Sequence, residues 1–225
     1  MPRGLNASEV AAFRARLCKA AVRRFSRDGL QGVTMRRLAA DLGCSPMTPY
    51  RYFRDRQEII AAVRADAFRR FADLLEDAYA SQTDPVARAR AVGRTFLSFA
   101  CAEPDLYRLM YDVGQPDEVN YPELTRHRMR AREVIVRQNA ALIDAGLLEG
   151  DAEELSHVMW AATHGAILLH LSGVLPPDWP LESLFDSTMR MINRGARPRA
   201  EPRPANRTRR RRASRQSSRE DRHEA

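Results

Sequence analysis

The chain has 225 residues, 44% of them apolar, and a formal net charge of +8, which suits one small and one larger soluble domain. Its three cysteines are odd in number and widely spaced, so they predict neither a disulfide framework nor a zinc site. The five histidines are accompanied by no glycine-rich phosphate loop, nucleophile elbow or paired-histidine motif. The sequence therefore argues against an enzyme, and no metal or cofactor is expected.

One apolar stretch, residues 158–175, could be mistaken for a membrane span. It contains His164 and His170 and is at the short limit for crossing a bilayer. A helix buried between its own core and a partner subunit explains the stretch better. Because the N-terminus also has no signal-peptide pattern, we expect a cytoplasmic protein with no membrane contact.

The first predicted helix spans Arg14–Arg27, with apolar residues at helical spacing on one face, and Asp28-Gly29 ends it. A second, short helix follows, with Thr34 as its N-cap and Gly43 as its left-handed C-terminal residue. Ser45 can cap the next helix, predicted over Ser45–Phe53, and Pro46 suits its first position. This is the layout of a helix-turn-helix, which places its second helix in the DNA major groove.

The remaining pattern is helical throughout. Asp55 and Glu58 form a capping-box-like start for a long helix. Five further helices are predicted over Pro85–Cys101, Asp105–Val113, Pro122–Ala145, Asp151–Ser172 and Leu181–Asn193, with a turn-rich loop over Gly114–Tyr121. No strand-like alternation occurs, so the predicted fold is all-α.

The stretch from about Val10 to Arg70 resembles the DNA-binding domain of the TetR family of bacterial transcriptional regulators. The matching segments are Ala20-Ala21, Phe25, Asp28-Gly29, Thr34–Ala39, Gly43–Ser45, Thr48–Phe53 and Arg54–Ile59. Further along, Trp160, His164 and Gly165 resemble the Trp-His-Gly signature of one type of C-terminal domain in this family. The resemblance implies a helix-turn-helix domain over residues 10–70 and a ligand-binding and dimerisation domain over residues 80–195. The family pattern usually has Lys-Gly where this chain has Pro46-Met47, so no relative's operator is carried over.

Roles in DNA binding follow from the helix-turn-helix and the resemblance. Base edges would be met by Pro46, Met47 and Thr48, while Arg51 would reach a base or a phosphate. The DNA-binding set is completed by residues for the phosphate backbone and the helix start: Thr34, Arg37, Ser45, Tyr50, Tyr52 and Arg56. Phe53 is expected in the core, and Tyr50 is expected to share its ring between core and DNA.

The resemblance also implies a homodimer, built from the last two long helices, on a palindromic double-stranded operator. Ala162, Gly165 and Ala166 would allow the partner helix to approach closely. A small-molecule effector, expected to be apolar, would bind between helices of the body and release a repressor from DNA. The candidate pocket residues are Phe96, Phe99, Leu106, Met110, Met129, Met159, Trp160, His164 and Ile167. The same residues at helical spacing could equally be packed core.

Charge is distributed unevenly along the chain. Residues 1–60 carry 12 basic and 5 acidic side chains, residues 61–195 carry 14 and 20, and residues 196–225 carry 11 and 4. The basic N-terminal segment is where phosphates are expected. Residues 196–225 are predicted to be a disordered basic tail, either inert or a non-specific phosphate contact. Two alternatives therefore stay open: an activator of the same fold, and largely non-specific DNA binding driven by this tail.

Overall fold

The computed structural model describes residues 6–112 and 118–198, without the side chain of Glu118. Most of the predicted basic tail and part of the predicted Gly114–Tyr121 loop lie outside these residues. The described part contains eight α-helices and no strand, so the all-α prediction is confirmed. The helices are α1 (Ala7–Gly32), α2 (Met35–Asp41), α3 (Arg56–Ala80), α4 (Pro85–Ala102), α5 (Pro104–Tyr111), α6 (Pro122–Asp144), α7 (Ala152–Leu171) and α8 (Leu181–Gly195). Two short 3₁₀ turns span Pro49–Arg51 and Glu118–Asn120.

Aspartate caps fix where three of these helices begin. The side chains of Asp55, Asp84 and Asp151 accept hydrogen bonds from backbone N–H groups three residues later, at 2.9, 2.7 and 2.8 Å. Each bond satisfies an N–H that has no partner inside the helix. The predicted starts of α3, α4 and α7 are confirmed for this reason.

The start of α1 differs from the prediction. The helix begins at Ala7, seven residues before the predicted Arg14, because Asn6 and Glu9 form a complete capping box with bonds of 2.8 and 3.1 Å. Its other end is interrupted where predicted, since Gly29 has a φ of 65° and kinks the chain before the last turn.

The predicted helix over Ser45–Phe53 is wrong. After Gly43, which does adopt a left-handed φ of 64°, the chain makes a turn and then the single 3₁₀ turn Pro49–Arg51. Pro49 has no N–H with which to bond Ser45, so the N–H of Thr48 bonds the Ser45 carbonyl instead, at 2.8 Å. Tyr52 bonds the Pro49 carbonyl in the same i to i+3 pattern, at 3.0 Å.

α3 lies at the centre of the body and packs along α6 and against α4. Its buried face includes Phe68 and Phe71, and the Phe71 ring contacts Phe96 and Phe99 of α4 with ring centroids 4.9 Å apart in each pair. α3 also contacts α1 and α5, so one helix connects the N-terminal helices to the body. It extends ten residues past the predicted domain end at residue 70.

α7 contains most of the apolar stretch that could have been a membrane span. Met159, Ala166 and Ile167 are buried, whereas Val158, Leu168 and Leu169 on the other side are exposed. Among the residues that the structure describes, no helix is long and apolar enough to cross a membrane.

Candidate nucleic-acid interface and ligand cavity

The segment from Ser45 to Phe53 is held against α1 from one side. Phe53 is 1% exposed, and the guanidinium of Arg14 lies 3.8 Å from the centre of its ring. Arg14 also donates a hydrogen bond to the Tyr52 carbonyl oxygen. The Tyr52 ring stacks on Phe13 with centroids 4.3 Å apart. These contacts fix the C-terminal end of the segment, so its other face is presented to solvent in a defined position.

That outer face contains much of the predicted DNA-binding set. The Met47 side chain is 68% exposed at the tip, and Tyr50 is 49% exposed beside it. Ser45, Pro46 and Arg51 are exposed as well. The Ser45 hydroxyl accepts the N–H of Met47 at 3.4 Å, a local turn bond and not a helix cap. The structure thus brings five predicted residues together as one ridge, and Tyr50 contributes to this ridge more than to the core.

The remaining predicted DNA-binding residues are Thr34, Arg37, Thr48, Tyr52 and Arg56. Thr34 caps α2 by accepting the N–H of Arg37 at 3.3 Å, and the Arg37 side chain is half-exposed. Thr48, Tyr52 and Arg56 are half-buried. Tyr52 therefore packs against Phe13, a structural role that the residue spacing alone did not indicate.

Charge-assisted hydrogen bonds join α1 to α2. Arg24 of α1 bonds both carboxylate oxygens of Asp41 in α2 and also reaches Asp28 at 3.2 Å. Arg27 and Arg24 hold the pKa of Asp28 at about 2, and Arg24 lowers the pKa of Asp41. This paired network fixes the first helix of the helix-turn-helix against α1. The roles of Arg14, Arg24 and Asp41 were not predicted, although the arginines of α1 are visible in the sequence.

The body contains a cavity of about 880 Å³ between α4, α6, α7 and α8, called here the main cavity. Apolar groups on its wall include Phe96 of α4, Met159 of α7 and Phe185 of α8. A Cβ at Gly93, beside this cavity, would lie 2.8 Å from the tip of the Phe185 ring, so a larger residue there would require Phe185 to shift. The volume is typical of small-molecule sites.

A second space of about 130 Å³, called here the aromatic cavity, lies between α3, α4, α6 and α7. Its lining includes Phe68, Phe71, Phe96, Tyr111 and Trp160. It is large enough for a few water molecules or a very small ligand, so the main cavity is the better candidate for an effector.

The nine predicted pocket residues separate into three groups. Phe96, Met159 and Trp160 line the main cavity. The other six line neither of these two cavities. Phe99, Leu106, Met110 and Ile167 are buried in packed core, and His164 shares a hydrogen bond of 2.8 Å with the Tyr107 hydroxyl. Met129 is 43% exposed on the outside of α6. Helical spacing selects buried residues, but it does not distinguish a cavity wall from a filled core.

His164 belongs to an aromatic cluster at the junction of α5 and α7. Its ring stacks on Trp160 and contacts Tyr111 edge-on, with centroids 5.7 and 4.7 Å apart. Burial lowers the pKa of His164 and raises that of Tyr107, so at neutral pH the pair is a neutral hydrogen bond. Among the described residues, no group of three or more His, Cys, Asp or Glu side chains could hold a metal ion.

Two family models match the chain. Residues 17–63 match the bacterial regulatory proteins of the tetR family, and residues 89–192 match the tetracyclin repressor-like C-terminal domain. The Trp-His-Gly subtype of this C-terminal domain stays a prediction. Among curated proteins, none matches the sequence.

Solved structures share the fold. A protein of unknown function from Rhodococcus sp. RHA1 is 26% identical, with a TM-score of 0.72 over 88% of this chain and 100% of its own. A tetR-family regulatory protein from Rhodococcus RHA1 is 16% identical, with a TM-score of 0.68 over 83% of this chain and 98% of its own. The TetR-family regulator PfmR from Thermus thermophilus is 18% identical, with a TM-score of 0.64 over 80% of this chain and 97% of its own.

The two matched regions cover the helix-turn-helix and most of the helical body, and both models describe the same family. Members of this family are DNA-binding transcriptional regulators and not enzymes. The chain therefore belongs to the TetR family of bacterial transcriptional regulators.

Proposed function

We propose that this regulator is a homodimeric repressor that binds a palindromic operator and is released from it by a small-molecule effector. The observation that carries the proposal is the exposed ridge of residues 45–51, fixed to α1 by Arg14, on the same chain as a cavity of about 880 Å³. We retain the predicted division into residues 10–70 for DNA binding and 80–195 for ligand binding and dimerisation.

The chemistry of the ridge favours a mixture of apolar and polar contacts with bases. Pro46 and Met47 offer apolar surface that fits a thymine methyl group, while Thr48 and Arg51 offer hydrogen-bond donors. Thr34, Arg37, Tyr50 and Arg56 would serve the phosphate backbone, the role that the family resemblance implies for them. Backbone contacts would set the register, and the tip of the ridge would select the sequence.

The dimer is inferred from an unpartnered apolar face. Val158, Leu168 and Leu169 of α7 are 47%, 40% and 46% exposed, and Met191 of α8 is 75% exposed. Gly165 lies on the same face of α7, and a Cβ there would contact nothing within 4 Å. Exposed apolar surface of this kind is typical of an interface. Ala166, predicted to face the partner, is 5% exposed and packs into its own core.

A route from cavity to DNA passes through α5. The Tyr107 hydroxyl of α5 bonds His164 of α7, which is one turn from Trp160 on the main cavity wall. Three residues further along α5, the Met110 carbonyl accepts two bonds from the buried guanidinium of Arg64 in α3, at 3.2 and 3.0 Å. Because α3 and α5 both contact α1, a ligand that moves α7 would tilt the helix-turn-helix.

The test is selection of duplexes from a random DNA pool by the full-length protein at near-physiological salt. We expect one palindrome with half-sites about one helical turn, roughly 34–36 Å, apart. Met47→Ala is expected to weaken binding to that site about tenfold while leaving stability unchanged. Recovery of unrelated sequences whose binding vanishes as salt rises would contradict the proposal and favour the tail-driven alternative.

The contribution of the basic tail is tested by a truncation after Pro198. A cut at Arg194 would remove Ala196, whose carbonyl accepts the N–H of Glu149 at 2.7 Å and so ties α8 to the α6–α7 loop. If the tail binds phosphates, the truncated protein should show a shallower salt dependence and an unchanged preferred site. Placing the selected site upstream of a reporter gene then separates a repressor from an activator.

A further inference from the structure

Arginines from two helices line the main cavity. Two are one turn apart on α4, two are one turn apart on α8, and the fifth follows the end of α8. All five residues are exposed, so they lie at the mouth of the cavity, where a ligand entering from solvent can reach them. This set is called here the arginine rim, and it consists of Arg90, Arg94, Arg190, Arg194 and Arg197.

The arginine rim has few counter-charges. Among the described residues, one carboxylate, that of Asp186, lines the same cavity. None of the five arginines forms an ion pair within the described part of the chain, and Arg190 donates a hydrogen bond to the Ser187 hydroxyl at 2.7 Å. The cavity mouth therefore has an excess of positive charge.

Arginines elsewhere in the body are placed differently. Six of them contact a carboxylate or the Tyr79 ring: Arg88, Arg108, Arg126, Arg130, Arg132 and Arg137. Residues 61–195 carry 14 basic and 20 acidic side chains, so the body has carboxylates to spare, yet they do not neutralise the rim. Neighbouring guanidinium groups repel one another, and an anion bound between them would replace that repulsion by attraction.

The deeper wall of the main cavity is apolar. Side chains from all four helices contribute to it: Val92, Phe96, Leu142, Met159, Phe185 and Met189. An inorganic anion would leave this wall in contact with water, whereas an uncharged apolar molecule would leave the rim without a counter-charge. The two surfaces together match a ligand that has an apolar body and an anionic head group.

We propose that the main cavity binds an amphipathic organic anion. Its carboxylate, or another oxyanion in the same place, contacts guanidinium groups of the arginine rim, and its carbon body lies on the apolar wall. Guanidinium groups suit this role because they bind oxyanions through paired hydrogen bonds. The inference rests on the proposed effector function and narrows the expected apolar effector to one with an anionic head group.

The first test compares ligands that share a body and differ in charge, titrated into full-length, DNA-free protein below their micelle concentrations. Anilinonaphthalenesulfonate is compared by fluorescence with phenylnaphthylamine, its uncharged parent, and decanoate is compared by calorimetry with decanol. In at least one pair, the anion should bind about tenfold or more tightly than the uncharged molecule, and added salt should reduce this preference. A smaller preference in both pairs, or no binding in either, would overturn the proposal.

Two double variants test the rim itself. Arg90→Gln with Arg94→Gln removes the two charges of α4, and Arg190→Gln with Arg194→Gln removes the two charges of α8. In at least one of these proteins, the affinity for the preferred anion should fall about fivefold or more. The affinity for the uncharged counterpart should stay within about twofold, which shows that the apolar wall is intact.

Arg69→Gln with Arg126→Gln is the matched control. Both residues are exposed, neither lines the main cavity, and the double variant removes the same net charge as each rim variant. The control should keep the preference for the anion. If neither rim variant lowers the affinity for the anion by more than the control does, the anion is not bound by the rim and the proposal is overturned.

Operator binding distinguishes failure of this inference from failure of the proposed function. Protein that selects a palindrome but shows no preference for the anions keeps the proposed function and loses only the ligand chemistry. Protein that prefers an anion through the rim but selects no palindrome retains this site and loses the repressor proposal.

Discussion

Polar side chains form hydrogen bonds between α1 and α2, whereas several buried amide oxygens beside the main cavity have no partner among the described residues. Between α1 and α2, Arg24 and Asp41 are paired through two hydrogen bonds, and Asp28 is shared by neighbouring arginines. Between α6 and α8, buried amide oxygens of Gln138 and Asn193 have no partner in the described chain. The first arrangement holds α2 in a fixed position against α1. The second leaves the desolvation cost of these oxygens without a compensating hydrogen bond among the described residues.

The largest expected effect on the free energy of unfolding concerns Phe53, which anchors the 45–53 segment to α1. Phe53→Ala removes a ring that is 1% exposed and contacts Arg14, so it should lower the free energy of unfolding by about 3–5 kcal/mol. Urea denaturation of the full-length protein measures the loss. Tyr50→Ala, at a 49% exposed ring three residues earlier, should change stability by about 0.5 kcal/mol or less. Equal losses in both variants would mean that the 45–53 segment is not anchored through Phe53.

The second-largest effect tests the contact between α3 and α5, which connects the N-terminal helices to the body. Arg64→Met keeps the buried side chain's bulk but removes two hydrogen bonds to the Met110 carbonyl, and we expect a loss of about 2 kcal/mol. Arg69→Met is the control, because Arg69 is exposed. Its ion pairs with Asp66 and Asp73 lie within α3, and such exposed pairs stabilise a protein by about 0–1 kcal/mol. Thermal unfolding measures both. If the two variants behave alike, α5 is not held to α3 through this contact.

A smaller effect of opposite sign is expected at the cavity wall. Gln138→Leu should raise the free energy of unfolding of the ligand-free protein by about 1 kcal/mol, because it replaces a buried, unpaired acceptor by an apolar group. Urea denaturation measures the change. Gln57→Leu is the control, because Gln57 is exposed in the first turn of α3. Its change in the free energy of unfolding measures the effect of helix propensity alone. A destabilised Gln138→Leu protein would show that the amide oxygen is paired after all.

The smallest effect is a pH dependence in the α1–α2 network. Arg27 and Arg24 hold the pKa of Asp28 at about 2, below its ordinary value of 3.8, and Arg24 lowers the pKa of Asp41. A lowered pKa in the folded state means that the stabilisation is present above about pH 4 and is lost as the pH falls towards 2. Both carboxylates are solvent-exposed, so the contribution is modest and weakens with salt.

The measurement is the melting temperature of wild type and of an Asp28→Asn, Asp41→Asn double variant between pH 5 and pH 2. The difference between them should be largest at the upper end and shrink towards the lower end. A difference that stays constant over this range would show that the two carboxylates are not responsible.

The elements predicted correctly from the sequence are those whose ends are determined by residues nearby in the chain. The caps at Asp55, Asp84 and Asp151 set helix starts through bonds to residues nearby in the chain, so spacing alone was sufficient. The capping box at Asn6 and Glu9 was an equally local signal that was overlooked. In the 45–53 segment the pattern of capping residues favoured a helix, but Pro49 removes an N–H that the helix needs.

The cavity could not be predicted in the same way. Phe96 and Phe99 are both buried in α4, yet only Phe96 is on the main cavity wall, since that depends on how closely α8 approaches. The approach of α8 is fixed by contacts distant in sequence, among them Phe185 on Gly93. The buried Asn139 amide likewise depends on another helix, since its Nδ2 group donates to the Ser156 hydroxyl of α7 at 3.0 Å. Such features arise from three-dimensional packing and leave no periodic signal.

The two prolines of the 45–53 segment have a consequence for changing which DNA sequence is recognised. Pro46 and Pro49 each restrict φ through a covalent ring, and Met47 lies between them with its side chain in solvent. The backbone at this tip is therefore determined by neighbours of Met47 and owes little to its own side chain. Because we propose that Met47 meets a base edge, a library randomised at residue 47 alone would vary the proposed contact on a nearly constant backbone, which makes this position a suitable starting point for engineering new operator preferences.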